Sequence, residues 1–78
     1  SAYTWHEVFS SAYVKFCRQV EQRHETIIDP YAAESPAEFF AVLSEVFFEL
    51  PFITQQHFPS VYEQLALFYR QDPAQRWR

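Results

Sequence analysis

The stretch from residue 35 to residue 50 constrains the fold most, because it marks the start of a helix and fills that helix with apolar side chains. Ser35 is a good N-cap, Pro36 suits the first helical position, and Glu38 stands at N3, where it can complete a capping box. The apolar residues that follow cover almost the whole circumference: Phe39, Phe40, Ala41, Val42, Leu43, Val46, Phe47, Phe48 and Leu50. This pattern predicts a buried central helix over residues 36–49.

Three carboxylates interrupt the apolar surface of this helix. At about 100° per residue, Glu38, Glu45 and Glu49 project within about 40° of one another and share one narrow stripe. The pattern leaves two interpretations open. In the first interpretation, Glu38 is a cap and the other two glutamates form the solvated edge of a core helix. Alternatively, Glu38 points inward as a metal ligand or catalytic carboxylate, since glutamate is a normal zinc partner beside two histidines.

Glycine and proline usage predicts the rest of the fold. The chain has no glycine, the usual residue of tight hairpins, and its five prolines fall between periodic segments. We therefore expect an all-α fold, a small bundle of three to four helices at about residues 5–23, 36–49, 52–57 and 59–71. Thr4 and Glu7 form a capping box before the first helix, and residues 74–78 are expected to fray.

Aromatic side chains are unusually numerous for a chain of this length. Nine Phe, five Tyr and two Trp occur among 78 residues. A domain this short buries only about 60% of the surface of its unfolded chain, so these rings need more partner surface than it supplies. We therefore expect a fragment of a larger protein, whose exposed aromatic faces are a candidate dimer contact.

Charge and hydropathy argue against two classes of partner. The net charge is −4 and the basic residues are scattered, so there is no electrostatic footprint for nucleic acid or anionic lipid. No apolar run approaches the roughly 18 residues of a membrane span. The single cysteine, Cys17, is expected to be a buried structural thiol, which is typical of a reducing compartment such as the cytoplasm.

The histidines form no complete zinc-protease motif. His6 is followed by Glu7, but position 10 is Ser10, so the His-Glu-x-x-His signature is absent there. His24 and His57 are expected at a helix end and in a polar turn.

Tyr31 is the second candidate site residue. It follows Asp29 and Pro30 in the loop before the central helix, seven residues before Glu38. Its ring could be a wedge beneath the loop, or its hydroxyl could be an acid or a hydrogen-bond donor beside a metal.

Several blocks of the chain together resemble one known family. They are Asp29-Pro30-Tyr31-Ala32-Ala33, Ser35-Pro36-Ala37-Glu38-Phe39-Phe40-Ala41-Val42, Ser44-Glu45, Phe47-Phe48 and Phe68-Tyr69-Arg70-Gln71-Asp72-Pro73. Over about residues 5–73 the chain resembles the C-terminal part of the Mlc titration factor A family, which are bacterial zinc-dependent peptidases with a zincin-like domain.

The resemblance implies roles for both candidate residues. In that family a His-Glu-x-x-His helix gives two zinc ligands and the general base, and a later glutamate gives the third ligand; the resemblance places that ligand on Glu38. The local pattern is also similar to the zinc site of lethal-factor-type toxin proteases, which makes Tyr31 the candidate electrophilic helper. The implied chemistry is aminopeptidase-like hydrolysis of a peptide or aminoacyl bond by zinc-activated water.

The missing His-Glu-x-x-His sequence limits what the isolated chain can do. One carboxylate cannot hold a catalytic zinc, so we expect zinc in the intact parent protein and no activity in this chain alone. The implied partners are the upstream part of the same polypeptide, a peptide substrate and the glucose repressor Mlc, which the family is described as binding. The alternative is a non-enzymatic helical protein-interaction module.

Overall fold

A computed structural model describes residues 4–76. Within this range the helices are α1 (Trp5–Glu21), α2 (Pro36–Glu49), α3 (Pro51–His57), α4 (Pro59–Tyr69) and α5 (Pro73–Arg76), with a 3-10 turn over Pro30–Ala33. The described residues contain no strand, which confirms the predicted all-α class. None of their helices is both long enough and apolar enough to cross a bilayer.

The start of α1 is fixed by the predicted capping box. The backbone N–H of Glu7 donates to Thr4 Oγ1 at 3.2 Å, and the Thr4 N–H donates to Glu7 Oε1 at 3.2 Å. These bonds satisfy two backbone donors that the first turn would otherwise leave open.

The end of α1 comes two residues earlier than predicted because Arg23 leaves the helical region. Its φ is 59°, and the N–H of His24 reaches back to the Gln19 carbonyl at 3.0 Å while the Arg23 N–H bonds Val20. This pattern is a Schellman motif, which glycine usually closes. In a chain without glycine, an arginine takes the left-handed position.

A second arginine ends α4 in the same way. Arg70 has a φ of 54°, and the N–H of Gln71 bonds the Ala66 carbonyl at 3.1 Å. The helix therefore stops at Tyr69 and not at residue 71 as predicted.

The core lies where α2 meets the other elements. Leu43 and Phe47 on α2 and Leu65 on α4 have no exposed surface. Phe16 on α1 and Phe39 on α2 are 1% exposed, and their rings lie 5.6 Å apart. α2 also packs against the 3-10 turn and α3, while α1 packs against α4.

The prediction that α2 is buried all round is wrong for this chain. Ala41, Glu45, Phe48 and Glu49 are exposed along one side of the helix, and Phe48 keeps 39% of its surface accessible. The bundle covers the rest of the helix and leaves this side open.

The chain turns sharply at two prolines. α3 begins at Pro51, one residue earlier than predicted, and α4 begins at Pro59 as predicted. Each proline occupies the first helical position, where its missing N–H costs no hydrogen bond.

The tail was predicted to fray from residue 74. That prediction is wrong for residues 74–76, which are ordered in a helical turn. Pro73–Arg76 forms one helical turn, and Ala74 is fully buried. The Tyr62 hydroxyl donates to Asp72 and accepts from the Ala74 N–H at 3.0 Å, which holds the turn against α4. The remainder of that prediction, residues 77 and 78, lies outside the described residues.

Candidate metal-ligand site

Glu38 stands at N3 of α2, but its side chain does not close a capping box. Its backbone N–H donates to Ser35 Oγ at 3.1 Å, so the cap of α2 is only half formed. The Glu38 carboxylate makes no hydrogen bond within residues 4–76 and is partly exposed. At the equivalent position of α1, the Glu7 carboxylate is bound to Thr4. Both helices begin with a hydroxyl-bearing N-cap residue and carry a glutamate at N3. Within the described residues, only the N3 carboxylate of α2 has no hydrogen-bond partner.

Tyr31 is exposed beside the start of α2. Asp29 Oδ1 accepts the Tyr31 N–H at 2.9 Å, and Pro30 opens the 3-10 turn, so the turn follows from the Asp-Pro pair. The Tyr31 side chain is 54% exposed, so the interpretation as a buried wedge is wrong. Its hydroxyl makes no hydrogen bond to any residue that the structure describes.

The two candidate residues lie on neighbouring elements that pack against each other. The 3-10 turn that carries Tyr31 packs against α2, and only Glu34 and Ser35 separate this turn from the first turn of α2, which carries Glu38. The arrangement offers one carboxylate and one phenol, which are a hard anionic ligand and a hydrogen-bond donor.

Glu45 and Glu49 follow Glu38 along the open side of α2. Both are exposed, which settles the direction that the sequence left open. The stripe of three carboxylates therefore faces away from the core of this chain. The solvated-edge interpretation holds for Glu45 and Glu49 within this chain.

A hydrogen bond from α1 supports the 3-10 turn, and sequence analysis missed it. The Tyr13 hydroxyl donates to the Ala33 carbonyl at 2.9 Å, and Cys17 Sγ lies 3.9 Å from the same oxygen. Partial burial raises the pKa of Tyr13, and its hydrogen bond with the Cys17 thiol acts in the same direction. Cys17 is half-buried, not fully buried as predicted. A tyrosine on an amphipathic helix gives no sequence signal of a partner 20 residues away.

The described residues fit one ligand of a metal site and not a whole site. No group of three or more His, Cys, Asp or Glu side chains within residues 4–76 is arranged to hold a metal ion. His6, His24 and His57 are exposed on separate parts of the bundle. A carboxylate that has no partner among residues 4–76, such as that of Glu38, suits zinc, which needs at least two further protein ligands.

Large apolar side chains are exposed on several elements of the bundle. Those with at least 39% of their surface exposed are Val14, Ile27, Tyr31, Phe48, Leu50, Phe52, Leu67 and Phe68. A groove of about 640 Å³ also runs between α1 and the first turn of α2, lined by the rings of Trp5, Phe9 and Phe40. A contiguous exposed apolar patch marks a binding surface, whereas single exposed apolar side chains are ordinary.

The described residues form an all-α segment with a glutamate carboxylate that has no hydrogen-bond partner among them. Residues 1–70 match the family described as glucose-regulated metallo-peptidase M90. The chain belongs to this metallopeptidase family, which confirms the resemblance found in the sequence.

Two curated relatives share its sequence closely. Mlc titration factor A of Edwardsiella ictaluri is 59% identical over 49 residues, which are 63% of this chain and 19% of the relative. Mlc titration factor A of Salmonella arizonae is 55% identical over 51 residues, which are 65% of this chain and 20% of the relative. The chain thus spans about a fifth of the length of these relatives. No solved structure matches the chain.

Proposed function

We propose that this chain is part of a zinc-dependent peptidase and supplies its third zinc ligand through Glu38. The observation that carries the proposal is the free carboxylate of Glu38 in a member of a metallopeptidase family. A glutamate at N3 behind a serine N-cap ordinarily closes a capping box, as Glu7 does on α1. Glu38 forgoes that bond, which leaves both carboxylate oxygens for a metal.

Two groups of this chain would take part in the chemistry. Glu38 would hold the metal with its carboxylate, and the positive end of the α2 dipole favours an anionic side chain at this position. A bound zinc ion supplies a water that is nucleophilic at neutral pH and polarises the substrate carbonyl. The Tyr31 hydroxyl would donate a hydrogen bond to the carbonyl oxygen as negative charge develops there.

The remaining zinc ligands and the general base would come from another part of the same polypeptide, on a His-Glu-x-x-His helix. We place that helix against the open side of α2, which carries Glu45 and Glu49. The substrate would be a peptide or an aminoacyl compound, hydrolysed in the manner of an aminopeptidase. On this proposal the 78-residue chain alone is inactive.

The proposal is tested on the complete polypeptide that carries this segment. After dialysis it should retain stoichiometric zinc and hydrolyse amino-acid anilides, with activity lost on chelation and restored by zinc. The 78-residue chain should do neither. A complete polypeptide without zinc, or hydrolysis that survives chelation, would contradict the proposal, and so would chelator-sensitive hydrolysis by the short chain.

The name of the relatives supports a further part of the proposal. Both are called Mlc titration factor A, so we propose Mlc as a partner of the complete polypeptide, which would place it in the cytoplasm with that repressor. Co-elution of the purified complete polypeptide with Mlc in gel filtration would support this, and separate elution at micromolar concentrations would oppose it.

The exposed apolar side chains favour a second candidate, a non-enzymatic interaction module. The two candidates differ in how the short chain behaves alone. An independent module should be monodisperse and unfold cooperatively. A segment that needs the rest of a peptidase should instead aggregate, dimerise through its aromatic faces or melt over a broad range of temperature.

A further inference from the structure

Tyr13 contacts both segments that carry the candidate site residues. Its hydroxyl donates to the carbonyl of Ala33, the last residue of the 3-10 turn that contains Tyr31. Its ring packs edge-on against Phe39, the residue after Glu38, with 5.4 Å between the ring centroids. One side chain of α1 therefore joins the 3-10 turn to the first turn of α2.

The 3-10 turn packs against α2 and buries Ala32 completely, but within the described residues few side-chain hydrogen bonds reach it. Among residues 4–76, its other side-chain hydrogen bonds are the local one that the Tyr31 N–H donates to Asp29 Oδ1 and the weak approach of Cys17 Sγ to the Ala33 carbonyl oxygen. Four residues of 3-10 helix have poor hydrogen-bond geometry of their own, so their position depends on such outside contacts.

We propose that Tyr13 is a positioning residue, whose hydroxyl holds the 3-10 turn so that the Tyr31 phenol reaches the substrate carbonyl beside the metal bound by Glu38. This inference rests on the proposed function. Tyr13 itself touches neither substrate nor metal. Its neutral phenol is the form that donates to Ala33, and a tyrosine with its ordinary pKa of 10.0 is already in that form at neutral pH; partial burial raises the pKa of Tyr13 further.

The test uses Tyr13→Phe in the complete polypeptide. This change keeps the ring that contacts Phe39 and removes only the hydroxyl. We expect kcat to fall by about 10-fold or more, because small displacements of a catalytic group can cost up to about 100-fold, while KM and zinc content stay as in the wild type. The matched control is Tyr69→Phe, which removes a hydroxyl bond of 3.0 Å to Ser44 on the same helix α2. The control should keep the wild-type kcat.

A double variant separates positioning from a merely structural role. If Tyr13 acts through Tyr31, adding Tyr13→Phe to Tyr31→Phe should lower kcat no further. Multiplying losses in the double variant would overturn the inference, as would a wild-type kcat in Tyr13→Phe. Glu38→Gln, measured alongside, shows whether the proposed function itself stands. If Glu38→Gln loses zinc but Tyr13→Phe keeps the full kcat, only the role of Tyr13 is refuted. If Glu38→Gln retains zinc, the proposed site itself is refuted.

Discussion

The hydroxyl of Tyr62 accepts a 3.0 Å hydrogen bond from the backbone N–H of Ala74, 12 residues further along the chain. The same hydroxyl donates to the Asp72 carboxylate. Tyr62 is 5% exposed and Ala74 is fully buried, so the bond lies out of reach of water. These two bonds explain why the chain after Gln71 ends in an anchored turn.

Tyr62→Phe should release this turn. The buried N–H of Ala74 would lose its acceptor, and an unsatisfied buried donor costs about 1–3 kcal/mol. Urea unfolding of the wild type and the variant measures the loss, and amide hydrogen exchange at Ala74 locates it. In Tyr69→Phe, which serves as the control, exchange at Ala74 should stay slow. Equal exchange rates at Ala74 in wild type and Tyr62→Phe would refute the anchor.

Acid should weaken the first turn of α1 through Glu7. The side-chain hydrogen bond with Thr4, and then the backbone bond to Thr4, lower the pKa of Glu7 from its ordinary value of 4.5. Because the pKa of Glu7 is lower in the folded protein than in the unfolded chain, the ionised carboxylate stabilises the fold fully when the pH is above the ordinary pKa. That stabilisation is lost as the pH falls through the pKa of the folded protein. The Tm difference between wild type and Glu7→Gln should therefore be present at neutral pH and shrink progressively as the pH falls below the ordinary pKa of 4.5.

The control for this pH dependence is Glu21→Gln, which changes an exposed carboxylate at the opposite end of α1. It should leave the acid-dependent part of the Tm curve unchanged. A Glu7→Gln difference that persists undiminished into acid would show that the capping box does not depend on the ionised carboxylate.

Arg23→Gly should stabilise the protein, although glycine usually weakens helices. Arg23 has a φ of 59°, and a left-handed conformation costs an L-residue roughly 1–2 kcal/mol that glycine avoids. The entropy that glycine loses on folding offsets part of the gain, so we expect a net increase of about 0.5 kcal/mol. Chemical denaturation measures it. Lys15→Gly, in the exposed interior of α1, should instead cost about 1 kcal/mol. Losses of similar size in both variants would contradict the left-handed cap.

Helix starts were predictable from sequence because their signals are local. Thr4 with Glu7 and Ser35 with Pro36 each specify a start within four residues, and α1 and α2 begin where these signals place them. The ends of α1 and α4 were placed two residues too late, because the expected signal is glycine and both helices are ended by an arginine with positive φ. The ends of α2 and α3 were predicted correctly.

The remaining features depend on contacts between distant residues. The one-turn helix α5 is too short for any periodic pattern and exists because Tyr62 binds its backbone. The exposure of Tyr31 follows from how the 3-10 turn packs on α2, and the contact from Tyr13 spans 20 residues. Glu38 was found as a candidate from its stripe and from the family resemblance. Its missing capping bond became visible only in three dimensions.

Tyr31→Phe should lower kcat of the complete polypeptide without removing zinc. A donor to a developing oxyanion contributes about 10²–10³-fold in other enzymes, and the exposed, unpartnered hydroxyl of Tyr31 is free for that role within the described residues. Steady-state hydrolysis of an amino-acid anilide gives kcat, and elemental analysis gives zinc. Unchanged kcat would remove Tyr31 from the mechanism. Loss of zinc would make Tyr31 a metal ligand and not a donor.

The most direct test of the account is the zinc content of Glu38→Gln in the complete polypeptide, beside Glu45→Gln as a matched control on the same side of α2. Elemental analysis after dialysis gives zinc per chain, and urea unfolding of the apo forms gives stability. We expect Glu38→Gln to lose zinc and activity with little change in apo stability, since its carboxylate caps nothing within residues 4–76. Glu45→Gln should retain zinc. If Glu38→Gln keeps its zinc and activity, Glu38 is not the third ligand and the central claim fails.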